Sequence, residues 1–562
     1  MPPEAPVMSN TEIADRLVSL AQLLSVQNEN PYKVKAYKRA AAGIRNMSES
    51  VDELVRNKRD LTAYAGIGEA ISNAIREIVL TGTLDKLEKL RSEISPELIG
   101  ISAYPRLNPK QVLRIYKKLG ISSTEALRES LENGTIARVL GLRMAQHISQ
   151  GLVEAHAMLL SRAHDLRLAM EEFLLGKAAA RRVEAVGDYR RRVEVIEELD
   201  FVVETSSFAA LVAKVENYGG RTPLVKSTKT SAMFALSAGV TLRVDAASRK
   251  NWGLSLVRST GSQAHLRKLV AVTGTLPALE AKGPFPTEEG LYSKFGLSFI
   301  EPELREGYDE VKRAAQGNLP VLVTVKDLCG ELHAHSTSSD GSDSIEQMAI
   351  AAHDRGYEYL GITDHSQSLK IARGVSIEAL WRQIRLIDNL NGRLNGIRIL
   401  KSAEVDILAN GALDYPDDLL RELDYTVCSI HSQFNLEKKQ QTDRILRAMD
   451  NRYFNILGHA TGRRLLKRPG YEIDIERIIA HAKQSGCYFE INSSPERLDL
   501  SAENARLANA AGIKIAVSTD AHSTRELGFV RNGIDQARRA GLEKTSILNC
   551  LPWPILADLF KR

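Results

Sequence analysis

The sequence contains few cysteines and no long hydrophobic run. Its 562 residues include four cysteines, which are far apart and form no CxxC pair. A disulfide framework and a zinc ribbon are therefore not expected, and we interpret the cysteines as small buried apolar residues. No apolar segment reaches the roughly 18 residues that a membrane span requires, and the N-terminal MPPEAPVMSN lacks the pattern of a signal peptide. We therefore expect a cytoplasmic protein without membrane association.

Acidic charge is scarce in the first half relative to basic charge. Residues 1–300 hold 41 Lys and Arg against 33 Asp and Glu, whereas residues 301–562 hold 34 against 37. The basic half is the candidate binder of a polyanion. A solvated helical surface would explain much of this excess, so charge alone only favours nucleic acid.

The length and the changing pattern indicate several domains. A chain of 562 residues exceeds what one hydrophobic core usually serves. The pattern is helical to about residue 180, and strand-like runs begin at FVVE and TLRVD. Residues 300–320 are highly charged with few large apolar side chains, and they lead into short strands that alternate with helices. We place a linker there.

Polar residues recur at the ends of short strand-like runs in the second half. The runs are YLGITDH, IRILKSAE, YTVCSIH, FNILGH, GCYFEIN and IKIAVSTDAH. A helix-like stretch follows each run, and this repetition predicts an α/β barrel with its strand-end side chains on one face. Those side chains are therefore expected to converge.

The converging residues are of the types that bind divalent metals. A single histidine is at least as often a hydrogen-bonded core residue, but a whole set at equivalent positions predicts a shared site. The set is His333, His335, Asp340, His365, Glu404, His431, His459, Asp520 and His522. On a strand, His333 and His335 point to the same side because they are two residues apart. Imidazole and carboxylate ligands without thiolates suit Zn²⁺, Mn²⁺ or Fe²⁺ in a catalytic site.

Residues 328–562 resemble the polymerase and histidinol phosphatase (PHP) family of metal-dependent phosphoesterases. The matching motifs are HAH with Asp340, TDH, the glutamate of SAEVD, SIH, GH and DAH. The resemblance implies up to three Mn²⁺ or Zn²⁺ ions, which would activate water and neutralise charge on the leaving oxygen of a phosphoester. The implied ligands are His333, His335, Glu404 and Asp520 for the first ion, Glu404, His431 and His459 for the second, and Asp340, His365 and His522 for the third.

Three cations near this site are candidates to hold substrate phosphates. Lys370, Arg373 and Arg464 lie in loops that follow strands. Arginine can bind a phosphate with two parallel hydrogen bonds, although solvated loop cations are the more common case. We therefore treat these three residues as candidates only.

The first half resembles the X-family DNA polymerases, and bacterial enzymes of that family join such a polymerase to a PHP domain. The matching segments are NPYKVKAYKRAA (30–41), AGIGEAISNAIREIVLTGTLDKLEKL (65–90), TGSQAH (260–265) and FIEPELRE (299–306). The resemblance implies N-terminal α-helical helix-hairpin-helix domains, an α+β nucleotidyltransferase-like palm with a thumb, and a distorted TIM-like α/β PHP barrel. The expected domains are 8–92 (lyase-type helical, DNA-binding), 93–155 (fingers-like), 156–250 (palm), 251–305 (thumb), 306–327 (linker) and 328–562 (PHP).

The stretch GDYRRRVEVIEELD (187–200) carries the candidate polymerase site. The family pattern is close to G-S-x-R-R followed by G-D-x-D, with a third aspartate on a later strand. Gly187, Arg190 and Arg191 fit the nucleotide-binding part. The candidate catalytic carboxylates, which would bind Mg²⁺ or Mn²⁺ in an active palm, are Glu198, Asp200 and Asp245.

Three residues depart from that pattern, and two of them add a carboxylate to the site. Asp188 replaces the phosphate-binding serine, and Glu197 and Glu198 replace the glycine and the first metal aspartate. Each additional carboxylate within 4 Å of a triphosphate would oppose its binding by about 1 kcal/mol in water, and by more at lower effective dielectric. We expect weakened or lost nucleotidyl transfer, with the arginines paired to the new acids.

The helical N-terminal region supplies the candidate DNA contacts. The turn Gly66-Ile67-Gly68 lets backbone N–H groups approach a phosphate at a helix N-terminus. Lys33, Lys35 and Lys110 are further candidates, although a solvated helix face is about as good an explanation of the first two. The two later turns, Arg106-Leu107-Asn108 and Gly141-Leu142-Arg143, lack the G-x-G pattern.

The sequence supports one main hypothesis and two alternatives. The main hypothesis is a DNA repair enzyme whose PHP domain removes nucleotides from a 3′ end, a 3′–5′ exonuclease, on gapped or 3′-ended DNA held by the N-terminal half. It is expected to act as a monomer, with gap-filling synthesis in doubt. The alternatives are a phosphatase acting on a small phosphomonoester and a non-catalytic DNA-binding scaffold.

Overall fold

The structure is a computed structural model that describes residues 8–26, 30–47, 49–92, 109–121, 124–142, 144–145, 148, 157–237, 240–274 and 282–561. The chain divides into two compact units, Met1–Gly296 and Leu297–Arg562. No helix in the described part is both long enough and apolar enough to cross a bilayer.

The first unit begins with short helices around a small apolar core. Their bounds are α1 Asn10–Val26, α2 Pro31–Asn46, α3 Val51–Arg56, α4 Glu69–Thr81, α5 Asp85–Ser92, α6 Pro109–Leu119, α7 Thr124–Glu132 and α8 Thr135–Leu140. Capping residues mark several starts: Asn30 accepts a hydrogen bond from the Tyr32 N–H before Pro31, and Ser50 accepts one from Glu53. Leu17, Ile44 and Ile75 lie at the centre of the core of α1 to α5.

A five-stranded mixed sheet forms the rest of the first unit. The strands are β1 Met158–Leu159, β2 Arg182–Val186, β3 Val195–Ile196, β4 Glu198–Glu204, β5 Leu224–Ser227, β6 Ser231–Ser237 and β7 Val240–Ala246. The sheet order is β2-β4-β7-β6-β5, in which only β4 and β7 pair in parallel, and β1 pairs with β3 separately. The helices are α9 Leu160–Gly176, α10 Gly187–Arg190, α11 Phe208–Val215, α12 Trp252–Thr260, α13 Gln263–Thr273 and α14 Glu288–Lys294.

The second unit is a nearly closed barrel of seven parallel strands. The strands, in their spatial order, are β8 Gly330–Ala334, β9 Tyr359–Ile362, β10 Arg398–Asp406, β11 Tyr425–Ser429, β12 Ile456–Leu457, β13 Tyr488–Asn492 and β14 Ile515–Ser518. A parallel bridge between Ala334 and Ala521 joins the chain after β14 to β8. Almost every strand residue is buried, as expected where helices cover a parallel sheet.

Helices surround the barrel and close one end. Their bounds are α15 Glu310–Gln316, α16 Ile345–His353, α17 Ile377–Asn391, α18 Asp417–Leu420, α19 Lys438–Met449, α20 Ile475–Ser485, α21 Ala502–Ala510, α22 Val530–Arg539 and α23 Trp553–Phe560. Inside the barrel, Leu332, Val427 and Ile456 pack with Leu556 and Phe560 of α23.

The segment that precedes the barrel is folded against it. The unit boundary falls at Leu297, before the expected linker of 306–327. Glu303 lies 2.7 Å from Arg538 Nε and Glu306 lies 3.0 Å from an Arg539 nitrogen, so both acids pair with α22. Residues 297–327, which include the end of the expected thumb, are therefore part of the second unit.

Candidate metal centre and palm site

The nine candidate metal ligands lie together at the carboxyl edge of the barrel. His333 belongs to β8, His335 follows it directly, and Glu404 lies in β10. The remaining six candidates lie in the loops that follow strands: Asp340 after β8, His365 after β9, His431 after β11, His459 after β12, and Asp520 and His522 after β14. The convergence that parallel strands impose on strand-end residues is thus present.

Glu404 is the centre of the cluster. Its Oε1 lies 2.8 Å from His459 Nε2 and 3.3 Å from His431 Nε2. Its Oε2 lies 2.6 Å from His365 Nδ1, 3.6 Å from His333 Nε2 and 3.7 Å from His335 Nε2. One fully buried carboxylate therefore faces five imidazoles and can bridge between ions.

Asp520 and Asp340 organise the two flanks of the cluster. Asp520 Oδ1 lies 3.0 Å from His335 Nε2 and 3.6 Å from His333 Nε2. Asp340 Oδ1 lies 3.3 Å from His522 Nε2 and 3.5 Å from His365 Nε2. Each carboxylate thus shares a site with two histidines.

The donor set fits divalent metal ions in overlapping groups. Ligand atoms within 4.8 Å of one another form three groups: His333 with His335 and Asp520; His365 with Glu404 and His431; and His335 with Asp340, His365 and His522. Buried atoms at the centre, among them His333 Nε2, Glu404 Oε2 and His431 Nε2, make no hydrogen bond with another described group. Buried polar atoms are rarely left unpaired unless they bind an ion or water. The domain therefore binds divalent metal.

The groups match the expected ligand sets closely but not in every member. Each of the three groups shares at least two residues with a different one of the three expected sets. His365 and His335 each enter a second group, whereas His459 joins through its contact with Glu404 and is outside the 4.8 Å groups.

A further layer of acids, which the sequence analysis missed, orients the histidines. Glu490 Oε1 on β13 lies 2.6 Å from His333 Nδ1, and Asp406 Oδ1 at the end of β10 lies 2.7 Å from His431 Nδ1. Asn492 Nδ2 donates to Asp520 Oδ2 over 3.0 Å. The signal was present in GCYFEIN and SAEVD, where acidic or amide residues end buried strands.

Electrostatics hold Glu404 and His335 in the protonation states that bind metal, but not every histidine. Burial raises the pKa of Glu404, but the charges of His431, His365 and His333 outweigh it and hold that pKa well below its usual range. Burial, together with the neighbouring His365 and His522, lowers the pKa of His335 to about 4. Burial lowers the pKa of His431, yet the Glu404 and Asp406 carboxylates outweigh it and raise that pKa to about 10. Metal ligation requires an ionised carboxylate and a neutral imidazole.

The three candidate phosphate-binding cations differ in their contacts. Lys370 is exposed beside Ile371, whose side chain is 94% exposed. Arg373 donates to the Gly341 carbonyl over 3.4 Å, next to the candidate ligand Asp340. Arg464 pairs with Glu496, which also binds Lys467. Lys370 and Arg373 are thus on the loop that follows His365, whereas Arg464 is engaged by Glu496.

The helical region of the first unit forms a cavity at its hairpin turn. Gly66 has φ of +85° and Gly68 caps the N-terminus of α4 without a side-chain hydrogen bond. The cavity is about 650 Å³ and is lined by Lys33, Tyr37 and Tyr64 as well as both glycines. Lys35 is exposed on α2.

Other parts of the expected DNA-binding region are only partly described. Lys110 lies in α6, and only its backbone is described. The turn at 106–108 and Arg143 lie outside the described residues.

Comparisons with known proteins match a segment in each of the two units. A helix-hairpin-helix domain model matches residues 8–84, and a PHP domain model matches residues 331–494. The DNA polymerase/3′-5′ exonuclease PolX of Bacillus subtilis (strain 168) is 33% identical over 562 residues, which cover 96% of this chain and 97% of that protein. The chain belongs to the bacterial X-family polymerase/PHP family.

Other relatives match a smaller share of this chain. A probable phosphatase of Thermoanaerobacter sp. (strain X514) is 31% identical over 39% of this chain and 89% of its own length. A probable phosphatase of Acetivibrio thermocellus is 30% identical over 35% of this chain and 81% of its own length. These relatives are thus matched over most of their own length by less than half of this chain.

The nucleotide-binding arginines of the palm are engaged within the protein. Arg190 binds Glu288 with two hydrogen bonds of 2.9 and 2.6 Å and donates to Thr260 Oγ1 over 3.1 Å. Arg191 donates to the Thr260 carbonyl over 2.6 Å and pairs with Asp188. The pairing with Asp188 was expected from the sequence, whereas the stronger pairing of Arg190 with Glu288 of α14 was not.

The palm carboxylates do not form the expected arrangement. In the parallel pairing of β4 and β7, Asp200 lies opposite Arg243, whereas Asp245 lies opposite Val202. Arg243 binds Glu198 Oε2 over 2.7 Å. Within the described residues, every group of three or more potential ligands within 4.8 Å lies in the barrel. Glu198, Asp200 and Asp245 form no such group among the described residues.

Gly187 remains important for a steric reason. It has φ of +63°, and a Cβ at this position would overlap the Asp200 carboxylate. The glycine thus lets the start of α10 approach β4 closely.

Proposed function

We propose that the chain is a DNA repair enzyme whose PHP domain hydrolyses phosphodiester bonds at 3′ ends of DNA held by the N-terminal unit. The observation that carries the proposal is the Glu404-centred cluster, in which one carboxylate lies between five imidazoles. The helix-hairpin-helix match and the similarity to a DNA polymerase/3′-5′ exonuclease along almost the full length support DNA as the substrate.

The finer points of the proposal concern the ions and the substrate. We propose up to three Mn²⁺ or Zn²⁺ ions, because the ligands are imidazoles and carboxylates without a thiolate. Gapped or 3′-ended DNA, a monomeric state and a cytoplasmic location complete the proposal. The candidate DNA contacts are Gly66, Gly68, Lys33, Lys35 and Lys110.

Three sets of residues have different roles in the proposed reaction. Ions held by the nine ligands would supply an activated water and neutralise charge on the leaving oxygen. Glu490 and Asp406 hold His333 and His431 in fixed orientations, which reduces the reorganisation that ion binding requires. Lys370 and Arg373 extend from the loop after His365 and would attract the DNA backbone.

Shortening of 5′-labelled gapped DNA in the presence of Mn²⁺ tests the proposal. Glu404→Gln is expected to reduce the rate by about 100-fold or more, because it removes the charge that the ions share. Glu476→Gln on the exposed face of α20 is the matched control and should shorten DNA normally. Unchanged shortening by Glu404→Gln would exclude the cluster as the active site.

Hydrolysis of a small phosphomonoester is the second candidate, favoured by the probable phosphatases that match less than half of this chain. It predicts faster turnover of p-nitrophenyl phosphate than of DNA. It also predicts that salt does not change the affinity of the protein for DNA. The main proposal predicts the reverse, since DNA affinity falls steeply with salt. A scaffold without catalysis would show neither activity although it binds DNA.

A further inference from the structure

We propose that the palm of this protein binds neither a divalent metal ion nor a nucleoside triphosphate. The positively charged Arg243 lies where the metal would bind, and the negatively charged Glu288 lies where the phosphates would bind. The proposal concerns the N-terminal unit alone and does not depend on the activity of the PHP domain. It assigns the chain to DNA trimming without synthesis.

The first step of the argument is the position of Arg243. β4 and β7 are parallel neighbours, and Arg243 is directly opposite Asp200. Side chains on directly paired residues of neighbouring strands lie on the same face of the sheet. Glu198 and Asp200 are two residues apart and therefore share that face. A guanidinium thus lies beside the two carboxylates that a metal would require.

The second step is the contact that Arg243 makes. Its terminal nitrogen lies 2.7 Å from Glu198 Oε2, within the range of a strong charge-assisted hydrogen bond. Arginine remains charged at every accessible pH. A divalent cation would have to break this pair and then remain beside a fixed positive charge, whereas the pair itself already neutralises Glu198.

The third step concerns the phosphate side of the site. Both terminal nitrogens of Arg190 bind the two carboxylate oxygens of Glu288, at 2.9 and 2.6 Å. The Glu288 side chain is only 6% exposed and the Arg190 side chain 16%. A triphosphate would have to displace a buried carboxylate that already satisfies the arginine fork.

The two pairs together engage one candidate metal-binding carboxylate and one candidate phosphate-binding arginine of the palm. Glu198 and Arg243 are 45 residues apart, and Arg190 and Glu288 are 98 apart, so both pairs exist only in the folded unit. One pair supplies a cation where the reaction needs a metal, and the other supplies an anion where it needs phosphates. Each pair blocks a different reactant.

Counting bound Mn²⁺ per full-length chain after dialysis tests the metal part. Arg243→Gln should bind one ion more than the parent chain, because it frees Glu198 and Asp200. Arg243→Lys, which retains a cation, and Arg249→Gln, which changes an exposed arginine nearby, should bind the same number as the parent. Adding Asp200→Asn to Arg243→Gln should remove the extra ion. The result is the difference in bound ions between variant and parent, so it does not depend on how many ions the barrel binds.

Two outcomes of the ion count would overturn the proposal. One is a folded Arg243→Gln protein, as judged by circular dichroism, that gains no ion. The other is a parent chain that loses an ion when Asp200→Asn is introduced, which would mean that the native palm binds metal. The second comparison remains decisive if Arg243→Gln does not fold.

Primer extension tests the nucleotide part. The full chain carrying Glu404→Gln, so that trimming does not mask synthesis, should not extend a 5′-labelled gapped primer with Mn²⁺ and all four deoxynucleoside triphosphates. Extension that disappears when Asp200→Asn is added would show an active palm and overturn the proposal. Shortening that persists in Glu404→Gln would instead count against the PHP proposal and would leave the ion count unaffected.

Discussion

Glu490 affects metal binding only through the two histidines that it orients. It lies 2.6 Å from His333 Nδ1, and its Oε2 accepts the His459 N–H over 2.8 Å. Because it fixes two candidate ligands, Glu490→Gln is expected to lower the affinity for Mn²⁺ by about 10- to 100-fold. Equilibrium titration with Mn²⁺ measures this, with Glu476→Gln as the control. Equal affinities in the two variants would contradict the orienting role.

Asp200 provides a test of the palm through pH. Burial and the charge of Glu198 raise the pKa of Asp200 from 3.8 to about 7. Between pH 4 and 7 the folded unit keeps this proton while the unfolded chain loses it, so the raised pKa makes the first unit less stable as pH rises through this range. Asp200→Asn removes that loss and should stabilise the first unit by about 1–3 kcal/mol above pH 7, with little effect near pH 4.

Thermal unfolding at several pH values measures the effect of Asp200→Asn. Asp165→Asn, at an exposed position of α9, is the control and should show no such pH-dependent gain. A gain from Asp200→Asn that is the same at pH 4 and pH 8 would mean that ionisation of Asp200 is not the cause.

At the residue scale, the metal ligands could be predicted and the palm partners could not. Each ligand lies in a strand of a parallel barrel or in the loop that follows one, and that position brings the ligands to one edge of the barrel. Arg243 and Asp245 are two apart, so both point to the same face of β7, and only the pairing with β4 distinguishes them. Glu288 reaches Arg190 across 98 residues, and no local pattern indicates that contact.

At the element scale, Gly361 of β9 leaves room for the Tyr425 side chain inside the barrel. The Tyr425 hydroxyl of β11 donates to the Leu332 carbonyl of β8 over 2.6 Å inside the barrel. A Cβ on Gly361 would overlap that hydroxyl. Gly361→Ala is therefore expected to lower the free energy of unfolding of the second unit by about 1–3 kcal/mol through overpacking.

Denaturant unfolding measures the effect of Gly361→Ala. Gly528→Ala, at a position where a Cβ would meet nothing within 4 Å, is the matched control. If Tyr425→Phe abolishes the cost of Gly361→Ala, the hydroxyl is the clashing group. A cost that persists in that double variant would mean that the Tyr425 ring also clashes, since its Cζ would lie 2.9 Å from the new Cβ.

Apolar runs in the sequence predict the positions of the barrel strands, but they do not predict where the second unit begins. Runs such as YLGI and IAVS are uniformly buried strands, as their composition indicates. The sequence places the linker near residues 300–320, because that stretch contains few large apolar side chains. Residues 297–327 are held instead by Glu303 and Glu306, which pair with α22, and ion pairs between distant segments leave no periodic signal.

At the scale of the whole molecule, two compact units predict two unfolding transitions. A ligand that binds only the folded state stabilises it by about 2.7 kcal/mol at 100 times its dissociation constant. Chelation of metal should therefore lower the melting temperature of the second unit and leave that of the first unchanged. Calorimetry with and without EDTA measures this, and Glu404→Gln should respond much less. A chelator effect on the first transition would contradict a metal-free palm.

The packing of residues 297–327 decides how the PHP domain can be produced as a separate protein. A fragment that starts at Leu328 follows the boundary expected from the sequence but removes Glu303 and Glu306, and it leaves the α22 arginines without these partners. It also removes Val323, whose N–H donates to the Leu542 carbonyl over 3.0 Å. Expression from Leu297 retains these contacts, so the longer fragment is the one expected to remain folded and resist proteolysis.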